Sequence, residues 1–129
     1  MQLGCLALFV AAPNSDRHRS GLALSLSDLG LRLSALDQPA EALAAEQEAV
    51  AIYRELAATN PERHRPDLAS SLTNLGASFS QLGNPASALP LTEEAVAIYR
   101  DLAAANPDRY RPEFARSLSA LVLQRQFVI

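Results

Sequence analysis

A stretch of 46 residues occurs twice in this chain, and that duplication constrains the fold more than any motif does. Compared position by position, residues 21–66 and 67–112 are identical at 27 of 46 positions. The first copy carries LALSLSDLG and EQEAVAIYRELAATNPERHRP; the second carries LASSLTNLG and TEEAVAIYRDLAAANPDRYRP. A third copy opens at Pro112-Glu113-Phe114 and reaches Ile129 within or just after its first helix. A unit this small cannot bury its apolar face alone, so in-register copies must cover one another and form an array.

Each unit reads as two helices. Leu22, Leu26, Leu29 and Leu33 recur at spacings of four, three and four, which predicts helix A over 21–36. Residues 16–19 before it are expected to be an inter-repeat loop. Asp37-Gln38 breaks the pattern, and Pro39 opens helix B, because the N–H that proline lacks has no partner at the first helical position. Helix B is expected to run to about residue 58. Ala42, Leu43, Ala49, Val50, Tyr53 and Leu56 would face inward, and Glu41, Glu48, Arg54 and Glu55 would face water. Asn60-Pro61 ends it. In the second unit Pro66 is expected to open helix A, with Asp67 near its positive end and Leu68, Leu72, Leu75 and Phe79 as the stripe. Gly83-Asn84 makes the turn, Asn84 caps helix B and Pro85 takes its first position. Pro90 stands where the first unit has Ala44, and a bend is expected there. No stretch alternates with period two, so the chain is read as all-α with no strands. The expected segments are a diverged helix and loop over 1–19, repeats over 20–66 and 67–112, and helix A of an incomplete third repeat over 113–129.

Composition narrows the function classes. Hydrophobic residues make up 49% and charged residues 19%, a globular balance. A net charge of −3 gives no global pull toward nucleic acid. All 11 basic residues are Arg, the habit of a GC-rich, bacterial genome. Cys5 is single, which rules out an internal disulfide and favours the cytoplasm. The apolar start MQLGCLALFVAA has no early positive charge and is too short to span a bilayer, so neither a secretory signal nor a membrane anchor is expected. Leu3-Gly4-Cys5 looks like a lipoprotein cleavage box but lies too close to Met1. A shift of 46 sets Val10-Ala11-Ala12 on Leu56-Ala57-Ala58, so the start reads as the end of an earlier helix B.

Leu29-Gly30 with Leu33 and Ala42, and Leu75-Gly76 with Phe79 and Ala88, resemble the tetratricopeptide repeat family, whose unit is a helix–turn–helix with a Leu-Gly pair in helix A and a small residue early in helix B. Ala49 and Ala95 supply a second small residue. The 46-residue length is similar to the long-helix variety of kinesin light chains and bacterial multidomain regulators. The third unit departs from the pattern with Val122 for the glycine and Arg125 for the aromatic. The resemblance covers about residues 20–123. It implies a right-handed superhelical solenoid of antiparallel helix pairs, with partners held along a concave groove lined by helix A.

The helix A positions left for that groove are Leu24, Ser27, Asp28 and Leu31, then Ser70, Thr73, Asn74 and Ala77, then Arg116, Ser119, Ala120 and Leu123. In kinesin light chains an asparagine just before the Leu-Gly or Leu-Ala pair bonds a bound peptide's backbone, and Asn74 matches it. An amide both donates and accepts, which suits a peptide backbone; the carboxylate of Asp28, its counterpart, only accepts and prefers a basic partner. The set that grips a terminal carboxylate in some relatives is incomplete, since Ser27 and Leu31 stand where Lys and Asn would be needed.

Other clusters read as structural. Arg17, Arg19, Arg63, Arg65, Arg109 and Arg111 recur on one edge, and the acids of the same loops, Asp16, Glu62, Asp67, Asp108 and Glu113, are expected to neutralise them. His18 and His64 are loop copies without convergent ligands, so no metal is expected. Tyr53 and Tyr99 read as helix packing. Glu46, Gln47, Glu48, Glu93 and Glu94 read as a solvated face. No phosphate-loop, dinucleotide, zincin or nucleophile-elbow pattern occurs, so neither a cofactor nor an enzyme activity is expected. The favoured function is a scaffold that binds a protein or peptide. The alternatives are a regulatory or sensor fragment of a larger bacterial signalling protein (an NTPase or caspase-like peptidase) and a module that self-associates through its apolar ends, Leu3–Val10 and Phe127-Val128-Ile129.

Overall fold

The computed structural model describes residues 15–128. Five helices follow one another: α1 (Asp16–Ala35), α2 (Pro39–Thr59), α3 (Pro61–Gln81), α4 (Pro85–Ala105) and α5 (Pro107–Gln126). No strand occurs among the described residues. Connections of one to three residues turn each helix back against its predecessor, and sequence neighbours form the main packing pairs. The A helices α1, α3 and α5 also touch one another lightly in order. The expected helix at the N-terminus, Cys5 and Ile129 lie outside the described residues.

The A helices start earlier than their sequence suggests. Residues 16–19 are the first turn of α1, capped by Ser15, whose hydroxyl accepts from the His18 N–H at 3.2 Å. Likewise α3 opens at Pro61, not Pro66, and α5 at Pro107, not Pro112. The whole B-to-A connection is one residue, Asn60 or Asn106, with φ near −141° and −145°. That extended conformation is what a following proline enforces, and the proline itself then sits at a first helical position. Charged and polar composition suggested a loop here, but the stretch is helical and most of its side chains are exposed, His64 being buried.

The longer turns also follow the repeat. Gly83 has φ 76°, and its counterpart Asp37 holds φ 61° in the same left-handed region. The Asn84 side chain caps α4 by accepting from the Ser87 N–H at 3.2 Å. The helix α4 runs unbroken through Pro90, which is exposed and occupies its sixth position. Pro90 cannot donate to the Ala86 carbonyl, and Ala44 at the same place in α2 can donate to that of Ala40. Pro90→Ala is therefore expected to stabilise the fold by about 1–2 kcal/mol, the helical gain being reduced by the looser unfolded chain. Thermal unfolding measures it; an unchanged or lower melting temperature contradicts it.

The core is a continuous cluster of inner faces. Ala23 of α1, Val50, Tyr53 and Leu56 of α2, Leu68 and Leu72 of α3, and Ala95, Ile98 and Tyr99 of α4 are all buried in it. The second unit buries its leucine stripe as expected, with Leu68 and Leu75 at 6% and 4% exposure. The first does not: Leu22 and Leu29, at the same positions, are 45% and 48% exposed. Helix α3 is covered by α2 on one side and α4 on the other, whereas α1 has only α2 as a main neighbour among the described helices. On α1 the buried positions are Ala23 and Gly30.

Gly30 and Gly76 mark close approaches between helices A and B. A Cβ on Gly30 would meet the Glu46 Cγ at 2.5 Å, and one on Gly76 would meet the Thr92 Oγ1 at 2.7 Å. Glu46 and Thr92 are repeat counterparts, so helix B leans its side chain onto the bare backbone of helix A in both units. This corrects the expectation that Glu46 belongs to a solvated face: it is 1% exposed, and the Ser78 hydroxyl of the next unit donates to its carboxylate. Gln47, Glu48 and Glu93 are exposed as expected. Glu94 is half-buried and accepts two hydrogen bonds from the Arg54 guanidinium.

Candidate functional site

Two adjoining hollows lie between successive A helices. The first, about 130 Å³, sits between α1 and α3 and is lined by Leu24, Ser27, Asp28, Leu31, Tyr53, Asp67, Ser70, Ser71 and Asn74. The second, about 230 Å³, sits between α3 and α5 and is lined by Ser70, Thr73, Asn74, Tyr99, Glu113, Arg116 and Ser117. Ser70 and Asn74 belong to both, so they form the ridge between them. Each hollow is smaller than the roughly 300–1,000 Å³ of a typical small-molecule pocket, and its size suits a side chain. Together they make an open groove along the A helices.

Helical periodicity explains why these residues meet. Asp28 and Leu31, and likewise Ser70, Thr73 and Asn74, recur at spacings of three and four and so share a face. Asn74 is half-buried, and its side-chain amide makes no hydrogen bond among the described residues. Two of its neighbours are less available. Ser27 and Ser71 share a hydrogen bond at 3.1 Å, and the Thr73 hydroxyl donates to the Ala69 carbonyl of its own helix at 2.9 Å. Ala77 is exposed but lines neither hollow, while Arg116 is exposed at the second.

The floor comes from helix B. Tyr53 and Tyr99 are 2% and 5% exposed; both belong to the core, and Tyr53 lines the first hollow and Tyr99 the second. Burial, with Asp67 and Asp28 adding to it, pushes the Tyr53 phenol up to about 12, so its hydroxyl stays protonated at neutral pH. Burial also raises Tyr99; Glu113 adds to this, while Ser70 and Arg116 oppose it. Asp67 is exposed as a residue, but partial burial of its carboxyl raises it, with His64 acting against this. Asp67 and Glu113 are repeat counterparts, as are Tyr53 and Tyr99. A carboxyl beside a phenol recurring at 46 residues was thus present in the sequence, but it spans the B-to-A junction that reads as a loop.

Two arginines of the edge form ion pairs, with other acids than those expected. Arg19 pairs with Glu55 of α2, and its counterpart Arg65 pairs with Asp101 of α4 at 3.1 Å. These acids stand on the B helix that packs beside each arginine, which brings them closer than residues on the arginine's own turn. The pairs are exposed and each contributes at most about 1 kcal/mol. Arg109 instead lies over the Tyr110 ring, 5.3 Å from its centre. His64 is a helical residue at 1% exposure, with neither ring nitrogen hydrogen-bonded, so the loop expected for it does not exist. Among the described residues no three His, Cys, Asp or Glu side chains gather as metal ligands, and no helix is long and apolar enough to cross a membrane.

Stacked antiparallel helix pairs, with a small residue at each helix contact and a groove along the first helix of each pair, define a helical-repeat solenoid. The tetratricopeptide repeat family model matches residues 22–62 and 68–107, well over half of the chain. The chain belongs to the tetratricopeptide repeat family, whose repeats generally mediate protein–protein interaction and are generally non-catalytic. No curated protein matches it.

Proposed function

We propose that the chain is a non-catalytic scaffold that holds a peptide or helix of a partner protein in the groove of its A helices. The observation that supports this most directly is the unpaired amide of Asn74 on the ridge shared by both hollows. An amide there supplies a donor and an acceptor to a peptide backbone crossing from one hollow to the other. The hollows on either side are of side-chain size, which suits successive residues of an extended segment.

Partner capture followed by mass spectrometry tests this with three forms of the chain: wild type, Asn74→Ala, and Glu48→Ala on the exposed face of α2. Loss of the amide is expected to cost about 1–2 kcal/mol, a weakening of roughly five- to thirtyfold for partners held in the groove. Glu48→Ala should bind as wild type does. Equal capture by all three forms overturns the groove assignment.

A further inference from the structure

We propose that the first hollow is a socket for a basic side chain, seating a guanidinium or ammonium of the bound peptide against Asp28, Asp67 and the Tyr53 hydroxyl. The inference rests on the groove reading above and gives that groove a charge preference.

The charge in the hollow is one-sided, although the Ser70 hydroxyl and the Asn74 amide also line it. Asp28 and Asp67 line it from α1 and α3, and ionised carboxylates only accept. Neither forms an ion pair among the described residues. The Ser27 and Ser71 hydroxyls are engaged with each other. No arginine lines this hollow. Tyr53 is almost wholly enclosed and lines the hollow, and Asp67 and Asp28 both act on its phenol. A phenol O–H there can donate to or accept from an occupant. Two unpaired acceptor groups and one phenol, converging on a space of about 130 Å³, complement a group rich in N–H donors and carrying positive charge.

The second hollow sharpens the assignment, because the repeat replaces the deciding residues. Asn74 stands where the first unit has Asp28, and Arg116 stands where the second unit has Ser70. The second hollow therefore holds one carboxylate, Glu113, and one guanidinium, Arg116. Its charges balance, so the preference for a basic residue belongs to the first hollow alone. The groove is thus polar along its length, and a bound segment has one favoured direction.

The test is a nuclear magnetic resonance titration of the 15N-labelled full chain with three capped tripeptides: acetyl-Ala-Arg-Ala-amide and its Gln and Glu analogues. Backbone amides of Asp28, Asp67, Ser70 and Asn74 are expected to move saturably with the Arg peptide. Its affinity should exceed that of the Gln analogue about tenfold, as expected of a charge-assisted hydrogen bond, and should fall as salt is added. The Glu analogue should leave these amides in place. The double variant Asp28→Asn/Asp67→Asn, whose two exposed positions leave the core intact, should lose the Arg preference while keeping the wild-type spectrum elsewhere. If the Gln and Arg peptides move the same amides equally, the basic socket is overturned and the peptide groove stands. If no peptide moves them, the socket is overturned, and capture by Asn74→Ala decides the groove independently.

Discussion

Tyr53→Ala should lower the unfolding free energy by about 3–5 kcal/mol, the range for removing a large aromatic from a packed core. Such a loss is a large fraction of the roughly 5–15 kcal/mol that holds a typical domain folded. Tyr53 is 2% exposed and belongs to the cluster that joins α1, α2 and α3, including Ala23, Val50, Leu68 and Leu72. Its ring therefore stands at the joint between two repeats. In a stacked array, nearest-neighbour contacts of this kind carry much of the stability. Tyr53→Phe keeps the ring and removes only the hydroxyl, so it should stay within about 1 kcal/mol of wild type while weakening binding in the first hollow. Urea unfolding of both variants separates the two roles. Equal stability of Tyr53→Ala and Tyr53→Phe would contradict the packing role.

The second large effect concerns Glu46. Its carboxyl is 1% exposed, packs on Gly30 and accepts from Ser78. Burial raises its pKa above the ordinary 4.5, and the Ser78 hydrogen bond offsets this only in part. A carboxyl whose folded pKa lies above its unfolded value binds its proton more tightly when folded. The contribution is therefore present in full below the unfolded pKa, and it is lost as pH rises through the folded pKa. Glu46→Gln has nearly the same shape, can accept from Ser78 through its carbonyl, and carries no charge to desolvate. At pH 7 it should be more stable than wild type, the relief from burying a charge being offset in part by amide N–H groups that lack a partner. Below about pH 3 the two should converge, because wild-type Glu46 is then protonated in both states. Melting temperatures of both proteins between about pH 3 and pH 8 check this, and parallel curves would contradict it.

Glu46 also shows where sequence reading stops. Its neighbours Gln47 and Glu48 are polar, and helical periodicity alone does not mark position 46 as enclosed. What encloses it is a glycine sixteen residues earlier on another helix and a serine thirty-two residues later on a third. The same holds for His64, which is polar and sits in a stretch that reads as a loop, yet is buried. The hydrophobic stripe of α1 went the opposite way. Leu22 and Leu29 look identical in sequence to Leu68 and Leu75, and among the described helices α3 has a neighbour on each side where α1 has one main neighbour. Periodicity reports which residues share a face, and packing decides whether that face is covered.

The groove was legible in part for the same reason. Asp28, Ser70 and Asn74 fall on one face by their spacing alone, and they line the hollows. The floor residues Tyr53 and Tyr99 come from another helix, and Asp67 and Glu113 from turns whose helical conformation depends on Pro61 and Pro107. Their meeting is a tertiary event. Ala77 shares the face but lies beyond the hollows.

By itself the sequence determined the repeat, its 46-residue period, the paired helices and the sites of helix-to-helix closeness at Gly30 and Gly76. These follow from local chemistry: helical spacing, proline at first positions and the absence of side chains where backbones approach. The tertiary structure alone decided that Leu22 and Leu29 of α1 stay exposed, that Glu46 is enclosed, and that Asp28, Asp67 and Tyr53 line one small hollow. Those outcomes depend on what each helix packs against, which no local pattern encodes.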